Sequence, residues 1–352
     1  TAPPRNKGIV VGGVPVTPGQ RRIIDLPAPA LTTREDFHLP VVVIHGRRQG
    51  PRLCISSAIH GDEINGVEII RRLLTRPALN RLRGTLIAVP VVNIYGFLNR
   101  SRYLPDRRDL NRSFPGSDKG SIAARLARLY VDEVLAASTH AIDLHTAAIH
   151  RENLPHIRAN MDHPETARLA AAFGAPVTIN GDTLAGSLRE AAAELRIPLL
   201  LYEAGEALRF NETAIRAGVR GILSVMRALE MLPSRGTRPG IAPLVPHSTQ
   251  WIRAPEGGVL RHLAPLGKRI EQDDVLGFIS DPFGEMEVPV LAPASGIVIG
   301  RTTIPLVNEG DALLHLGRFD RPSEAERAVE AFQAAHAPDS DPARLPTDPP
   351  VL

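Results

Sequence analysis

The chain is poor in residues on which several classes of protein depend. Among its 352 residues there is one cysteine, Cys54, which excludes an intrachain disulfide and any cysteine-built metal knuckle. Cys54 lies inside the apolar run Leu53-Cys54-Ile55, the setting of a packed thiol rather than a reactive one. Aromatic residues make up only 4%, and the formal net charge of +3 is small for this length. With little to stack bases on and basic residues that are scattered, no nucleic-acid partner is expected. Lysine is almost missing too: Lys7, Lys119 and Lys268 are the three. No apolar run approaches the length that spans a bilayer, so no membrane partner is expected. The opening residues, TAPPRNKGIVV, lack the apolar centre of a signal peptide, and the expected location is the cytoplasm.

What is present, 43% hydrophobic and 22% charged residues, is the composition of a globular protein, and the length suits a larger and a smaller domain. Residues 1 to about 50 read as short strands joined by tight turns, with His45 on a surface turn. From there strands and helices alternate. The strand before His60 is followed by helix 65–75, strand 85–93, helix 121–137 and strand 139–147. Next come helix 164–173, a short strand around Val177, helix 185–195, strand 197–203 and helix 211–232. This pattern predicts an α/β domain over residues 1–235 with a mixed, largely parallel sheet flanked by helices. The proline- and glycine-rich PSRGTRPGIAP marks the boundary. Residues 245–320 read as short strands alone, a small all-β, barrel-like unit. Residues 321–352 read as a helix and a tail expected to be disordered.

The stretch LCISSAIHGDEINGVE puts His60 at the end of a strand, where open α/β sheets form their crevices. Glu63 falls three residues on, at the start of a helix, so the two side chains can share one face. An imidazole and a carboxylate there are two of the three protein ligands of a hydrolytic zinc, or else a turn histidine and a glutamate favoured by the helix dipole. His145, in Ile-Asp-Leu-His-Thr, closes another strand as a third ligand or a buried core histidine. Asp143 lies on the same side of that strand, where it can fix the tautomer of a ligand imidazole. Glu203 ends the strand IPLLLYE and is placed to accept a proton; Glu206, in the turn beyond, ranks second and is expected to face solvent or cap a helix. The long segment Ile94 to Gly116 is dense in arginine and asparagine, as functional loops are. Arg102 there can stabilise an oxyanion, Asn111 and Arg112 can grip a carboxylate, and Arg107 and Arg108 read as solvated.

This ordered set, H-x-x-E, Arg-Tyr, Asp-Leu-Asn-Arg, Asp-Leu-His-Thr and a strand ending in Glu, resembles the succinylglutamate desuccinylase and aspartoacylase family, relatives of the zinc carboxypeptidases, over about residues 40–230. The resemblance implies a zinc-carboxypeptidase-like fold and a Zn2+ ion held by His60, Glu63 and His145. It further implies Glu203 as general base and later acid, Arg102 polarising the carbonyl, and Asn111 and Arg112 on the substrate carboxylate. The implied substrate is a small N-acyl amino acid. RENLPHIRAN (151–160) is similar to the bacterial deacylase branch, with His156 and Arg158 as pocket or structural residues. In that branch deacetylation of N-acetyl-diaminobutyrate is one candidate reaction. A carboxypeptidase acting on short peptides and a binding module without chemistry stay open as alternatives. GEMEVPVLAPASGIVIG (284–300) is similar to a biotinyl or lipoyl carrier barrel, but no lysine stands at its hairpin tip, which leaves packing or covering the active site as its role. The C-terminal helix and tail would suit an exchange between the subunits of a homo-oligomer.

Overall fold

The structure is a computed structural model that describes residues 4–32, 35–181, 183–234 and 244–337. The expected C-terminal tail, and most of the proline- and glycine-rich boundary segment, lie outside them. Strands β1 (Ile9–Val11) and β2 (Val14–Val16) pair as a separate ribbon, and β3 (Arg21–Pro27), β4 (His38–His45) and β5 (Arg48–Ser57) follow. Then come α1 (Asn65–Leu74), β6 (Arg83–Val89), α2 (Ile94–Leu98), α3 (Ile122–Tyr130) and β7 (His140–Ala147). Next are β8 (Arg151–Ala159), α4 (Pro164–Phe173), β9 (Val177–Asn180), α5 (Leu188–Glu194), β10 (Leu199–Glu206) and α6 (Glu212–Ala228). The C-terminal part holds β11 (Ser248–Arg253), β12 (Gly258–Arg261), β13 (Arg269–Ile270), β14 (Val275–Ser280) and β15 (Glu287–Leu291). It ends with β16 (Gly296–Thr302), β17 (Leu306–Val307), β18 (Ala312–Arg318) and α7 (Pro322–His336).

One mixed sheet runs through most of the chain in the order β11-β18-β16-β8-β10-β7-β5-β6-β4-β3, with β13 on β16 and β9 on β8. The parallel part is central: β6, β5, β7 and β10 are mutually parallel, whereas β4 joins β6, and β8 joins β10, antiparallel. The sheet is thus less parallel than its apolar runs suggested, because a strand buried on both faces reads the same whichever way its neighbour points. Side chains alternate across β5. Leu53 and Ile55 enter the core under α1, α4 and α6, while Cys54 points into the opposite core beside Tyr130 of α3. Burial pushes the Cys54 thiol up to about 12, so it is inert at neutral pH.

The C-terminal strands are divided between two sheets. Four of them, in the order β15-β14-β12-β17, make one sheet, and the other four extend the central one. The join is β16 against β8, where Gly300, Arg301 and Thr302 face Asn153, Glu152 and Arg151. Helix α7 then returns to the main layer: Phe332 packs in the core with α6, and Arg220 donates to the Ala335 carbonyl. His45, expected on a surface turn, is instead buried at the end of β4, bonded to Thr85 Oγ1 and the Lys7 carbonyl.

Candidate active site

The ends of the parallel strands β5, β7 and β10, the antiparallel strand β8 and the long loop after α2 converge on a cavity of about 450 Å³ lined by His60, Glu63, Arg102, Asn111, Arg112, His145 and Glu203, among others. A larger hollow of about 1200 Å³ opens beside the end of α1 and the β2–β3 and β4–β5 turns. Its single histidine, His45, is already bonded on both nitrogens, so the smaller cavity holds the chemistry.

His60 and Glu63 meet by a different route from the one the helical spacing suggested. Glu63 precedes α1, and its backbone N–H donates to the His60 carbonyl, closing a tight turn. Ala58 before it bends at φ +51°. Gly61 lies so close to α2 that a Cβ there would stand 2.0 Å from the Gly96 carbonyl carbon. Gly66 likewise lets α1 sit on the sheet, where a Cβ would meet those of Ser57 and Leu144 at 2.5 and 2.7 Å. These contacts press the turn into the cleft.

Glu63 stands between two imidazoles. Its Oε1 is 2.6 Å from His60 Nδ1 and its Oε2 is 2.8 Å from His145 Nδ1, while the Thr146 N–H donates to Oε2. All three side chains are buried, and their ligand atoms lie within 4.8 Å of one another. The far nitrogen of each imidazole faces a carboxylate: Asp109 at His60 Nε2, 3.2 Å away, and Asp143 at His145 Nε2, 2.7 Å away. Asp143 is itself held by the Ser56 hydroxyl. A carboxylate at Nε2 keeps the proton there and turns the Nδ1 lone pair inward, the arrangement of metal-binding histidines.

The electrostatics agree. Burial opposes charge on both histidines, yet Glu63 and Asp109 at His60, and Asp143 and Glu63 at His145, outweigh it and raise both pKa values. Burial also opposes charge on Glu63, but the two imidazoles hold its carboxyl well below the usual range. Three buried or half-buried carboxylates around two imidazoles are a donor set that fits a divalent cation.

Arg102 reaches into this cluster. Its Nη2 pairs with Asp109 at 2.9 Å and its Nη1 lies 3.3 Å from Glu63 Oε1. Asn111 is buried, and its Oδ1 accepts from the Leu188 N–H at the start of α5, which leaves its amide hydrogens for the cavity. Arg112 donates to the Asn111 carbonyl. Arg107 and Arg108 are exposed.

Glu203 is beside His145 in the β10–β7 register, so both side chains leave the same face. Its Oε2 accepts from Asn153 Nδ2 at 3.0 Å, and Arg158 Nε is 3.7 Å from Oε1. Strand β10 continues past Glu203 through a bulge in which Gly205 takes φ +77°. Glu206 is therefore neither in a turn nor facing solvent. It is the buried last residue of β10, accepting from the His150 N–H and the Thr303 hydroxyl, and it is absent from the cavity lining. Arg158 lines the cavity; His156 is buried and absent from the lining, with its Nδ1 2.8 Å from the Leu154 carbonyl of its own strand.

The catalytic-domain model of the succinylglutamate desuccinylase/aspartoacylase family matches residues 49–229. The chain belongs to that family. An N-alpha-acetyl-L-2,4-diaminobutyric acid deacetylase of Halomonas elongata is 25% identical over 288 residues, covering 78% of this chain and 84% of the relative. The fold is shared with a succinylglutamate desuccinylase/aspartoacylase of Rhodobacter sphaeroides, at TM-score 0.76 and 24% identity over 86% of this chain and 95% of that one. It is also shared with the product-bound ectoine utilization protein EutE (DoeB) of Ruegeria pomeroyi, at TM-score 0.76 and 23% identity over 85% and 95%.

In this desuccinylase/aspartoacylase-family chain, several residues in or beside the cavity had no assigned role in the sequence. Asp109 opens the Asp-Leu-Asn-Arg motif, and its place before two singled-out residues was a usable signal. Asn153, Arg151 and Trp251 carried none, because they come to the cavity through the antiparallel strand β8 and the C-terminal strand β11.

Proposed function

We propose that the chain is a zinc-dependent amidohydrolase that removes the acyl group from an N-acyl amino acid. The observation that carries this reading is one cavity shared by the His60, Glu63 and His145 donor set, the carboxylate of Glu203 and the guanidinium of Arg102. His60, Glu63 and His145 would hold the metal. When bound there, zinc supplies an acidified water and Lewis acidity toward the acyl carbonyl.

The chain's own groups do the rest. Glu203 has Oε2 engaged by Asn153, so Oε1 takes the proton from the attacking water and passes it to the departing amine nitrogen. Arg102 directs a guanidinium N–H at the oxyanion as the carbonyl becomes tetrahedral. Asn111, through its free amide hydrogens, and Arg112, through its planar fork, hold the amino acid carboxylate. The amide C–N bond breaks, leaving an acyl carboxylate and a free amine. The family match and the Halomonas elongata deacetylase support the reaction class.

The test is a hydrolysis screen of N-acetyl, N-formyl and N-succinyl amino acids beside a dipeptide panel, with and without chelator, together with metal analysis of the purified protein. The expected result is about one zinc per chain and amine release from acylated amino acids that chelator abolishes and added zinc restores. Cleavage of dipeptides alone would make it a carboxypeptidase, and absence of both metal and turnover would overturn the reading.

A further inference from the structure

The larger hollow of about 1200 Å³ has no part in the chemistry above, and among the described residues it is lined by seven arginines and one carboxylate, that of Glu230. The whole chain carries a formal net charge of only +3, so arginines scattered through the sequence are gathered here by the fold. They come from the first residues of β3, β5 and β6, the β4–β5 turn, the segment between α1 and β6, and α6.

Few of these cations are neutralised. Arg21 donates to the Leu74 carbonyl at the end of α1, and Arg83 faces the exposed Glu230 at 3.8 Å. Arg47, Arg48, Arg76 and Arg81 are exposed and have no ion pair among the described residues. The Nε of Arg83 is buried without a hydrogen-bond partner among those residues, so the acceptors at this end of the molecule fall short of the donors. Like charges held round one concavity repel one another and focus their field on whatever enters it.

The lining also selects a chemistry. It has no lysine, and an all-arginine set presents planar forks that match phosphate oxygens two at a time. It has no phenylalanine, tyrosine or tryptophan either, so it offers no ring on which a nucleobase stacks. Strand β5 begins at Arg48 in the hollow and ends at Ser57, just before His60. The hollow and the active site therefore lie at opposite ends of one strand, about 30 Å apart at roughly 3.3 Å per residue.

We propose that this hollow is a binding site for a polyphosphate anion, a chain of linked phosphates either free or carried by a nucleotide, gripped by Arg47, Arg48, Arg76, Arg81 and Arg83. Linked phosphates put several charges into one ligand, and so engage at once cations that stand on separate elements; a single phosphate meets only one or two of them. The site is distinct from the substrate cavity and does not depend on the reaction proposed above.

The experiment is isothermal titration calorimetry of the full protein with inorganic triphosphate, phosphate, ATP and a single-stranded RNA oligonucleotide at one ionic strength, beside the melting midpoint with each. Triphosphate should bind at one site per chain and raise the midpoint. Phosphate should bind about tenfold more weakly or worse, the worth of one lost charge-assisted contact. Arg47→Ser combined with Arg81→Ser should weaken triphosphate by about tenfold or more on the same grounds, and the paired Lys substitutions should recover part of the loss. Should the serine pair lower the ligand-free midpoint, Arg76→Ser, on another element, gives the same reading. ATP bound as well as triphosphate makes the phosphate chain itself the ligand, and ATP bound more tightly makes it a nucleotide; both support the site. Arg112→Gln, in the active-site cavity, should leave triphosphate binding unchanged. The proposal is overturned by the absence of saturable triphosphate binding, by its loss in Arg112→Gln but not in the hollow variants, or by RNA bound more tightly than triphosphate.

Discussion

Asn153 donates from Nδ2 to Oε2 of Glu203 at 3.0 Å, and the same asparagine is paired through its backbone with Gly205 of β10 on one side and Gly300 of β16 on the other. A Cβ on Gly300 would stand 3.0 Å from Asn153 Oδ1. The group that orients the proposed base is thus clamped between the catalytic-family core and the C-terminal strands. Seating of β16 and position of Glu203 are one structural fact.

Replacing Asn153 with Ala removes a hydrogen bond to an ionised acceptor, an interaction of about 1.5–3 kcal/mol. If Glu203 must be held, kcat falls about 10- to 100-fold while bound zinc and the melting midpoint stay close to the parent. Steady-state kinetics beside metal analysis checks this. Asn153 acts here as a positioning residue, so the pH profile of kcat should shift as well.

Glu203→Gln keeps the shape and removes the proton acceptor. The expected loss is about 10² to 10⁴ in kcat, the usual worth of general acid-base transfer, with zinc content unchanged. A variant that turned over at the parental rate would move the base elsewhere in the cavity.

Asp143→Asn leaves His145 without its carboxylate at Nε2. Zinc affinity should drop about 10- to 100-fold, measured by competition with a chromogenic chelator. His145→Ala, which removes a donor outright, should bind zinc more weakly still.

His315 gives a pH dependence whose sign is fixed. Its folded pKa is about 4, below the value of about 6.5 in an unfolded chain. Unfolded chains therefore bind the proton first as pH falls. The neutral ring is no burden above about pH 6.5, and stability is lost progressively between there and pH 4, by on the order of 1–3 kcal/mol. His315→Leu should flatten part of that decline in melting midpoint against pH. It should not abolish the decline, because buried His156 is shifted in the same direction.

Gly66→Ala should cost about 1–3 kcal/mol by overpacking, since its Cβ would strike those of Ser57 and Leu144. Thermal melting of the metal-free protein reads this without reference to activity.

The sequence by itself determined the parts of the site that sit at the ends of buried parallel strands. An apolar run that stops at His60, at His145 or at Glu203 announces both the strand and the crevice, because side chains at strand ends have no other place to go. The same logic placed α1, α4, β9 and α6 nearly where they are. It failed at β8, where Pro155 and the polar Asn153, His156 and Arg158 break any period of two; the strand survives because its register with β10 shifts opposite that proline. It failed again at Glu206, since nothing local shows a bulge that lets β10 run on. Only the tertiary structure decided that β16 joins β8, and that Asn153, Arg151 and Trp251 therefore reach the cavity. Pairing between strands about 150 residues apart is set by the packing of two cores against each other, and neither strand carries a pattern that names its partner.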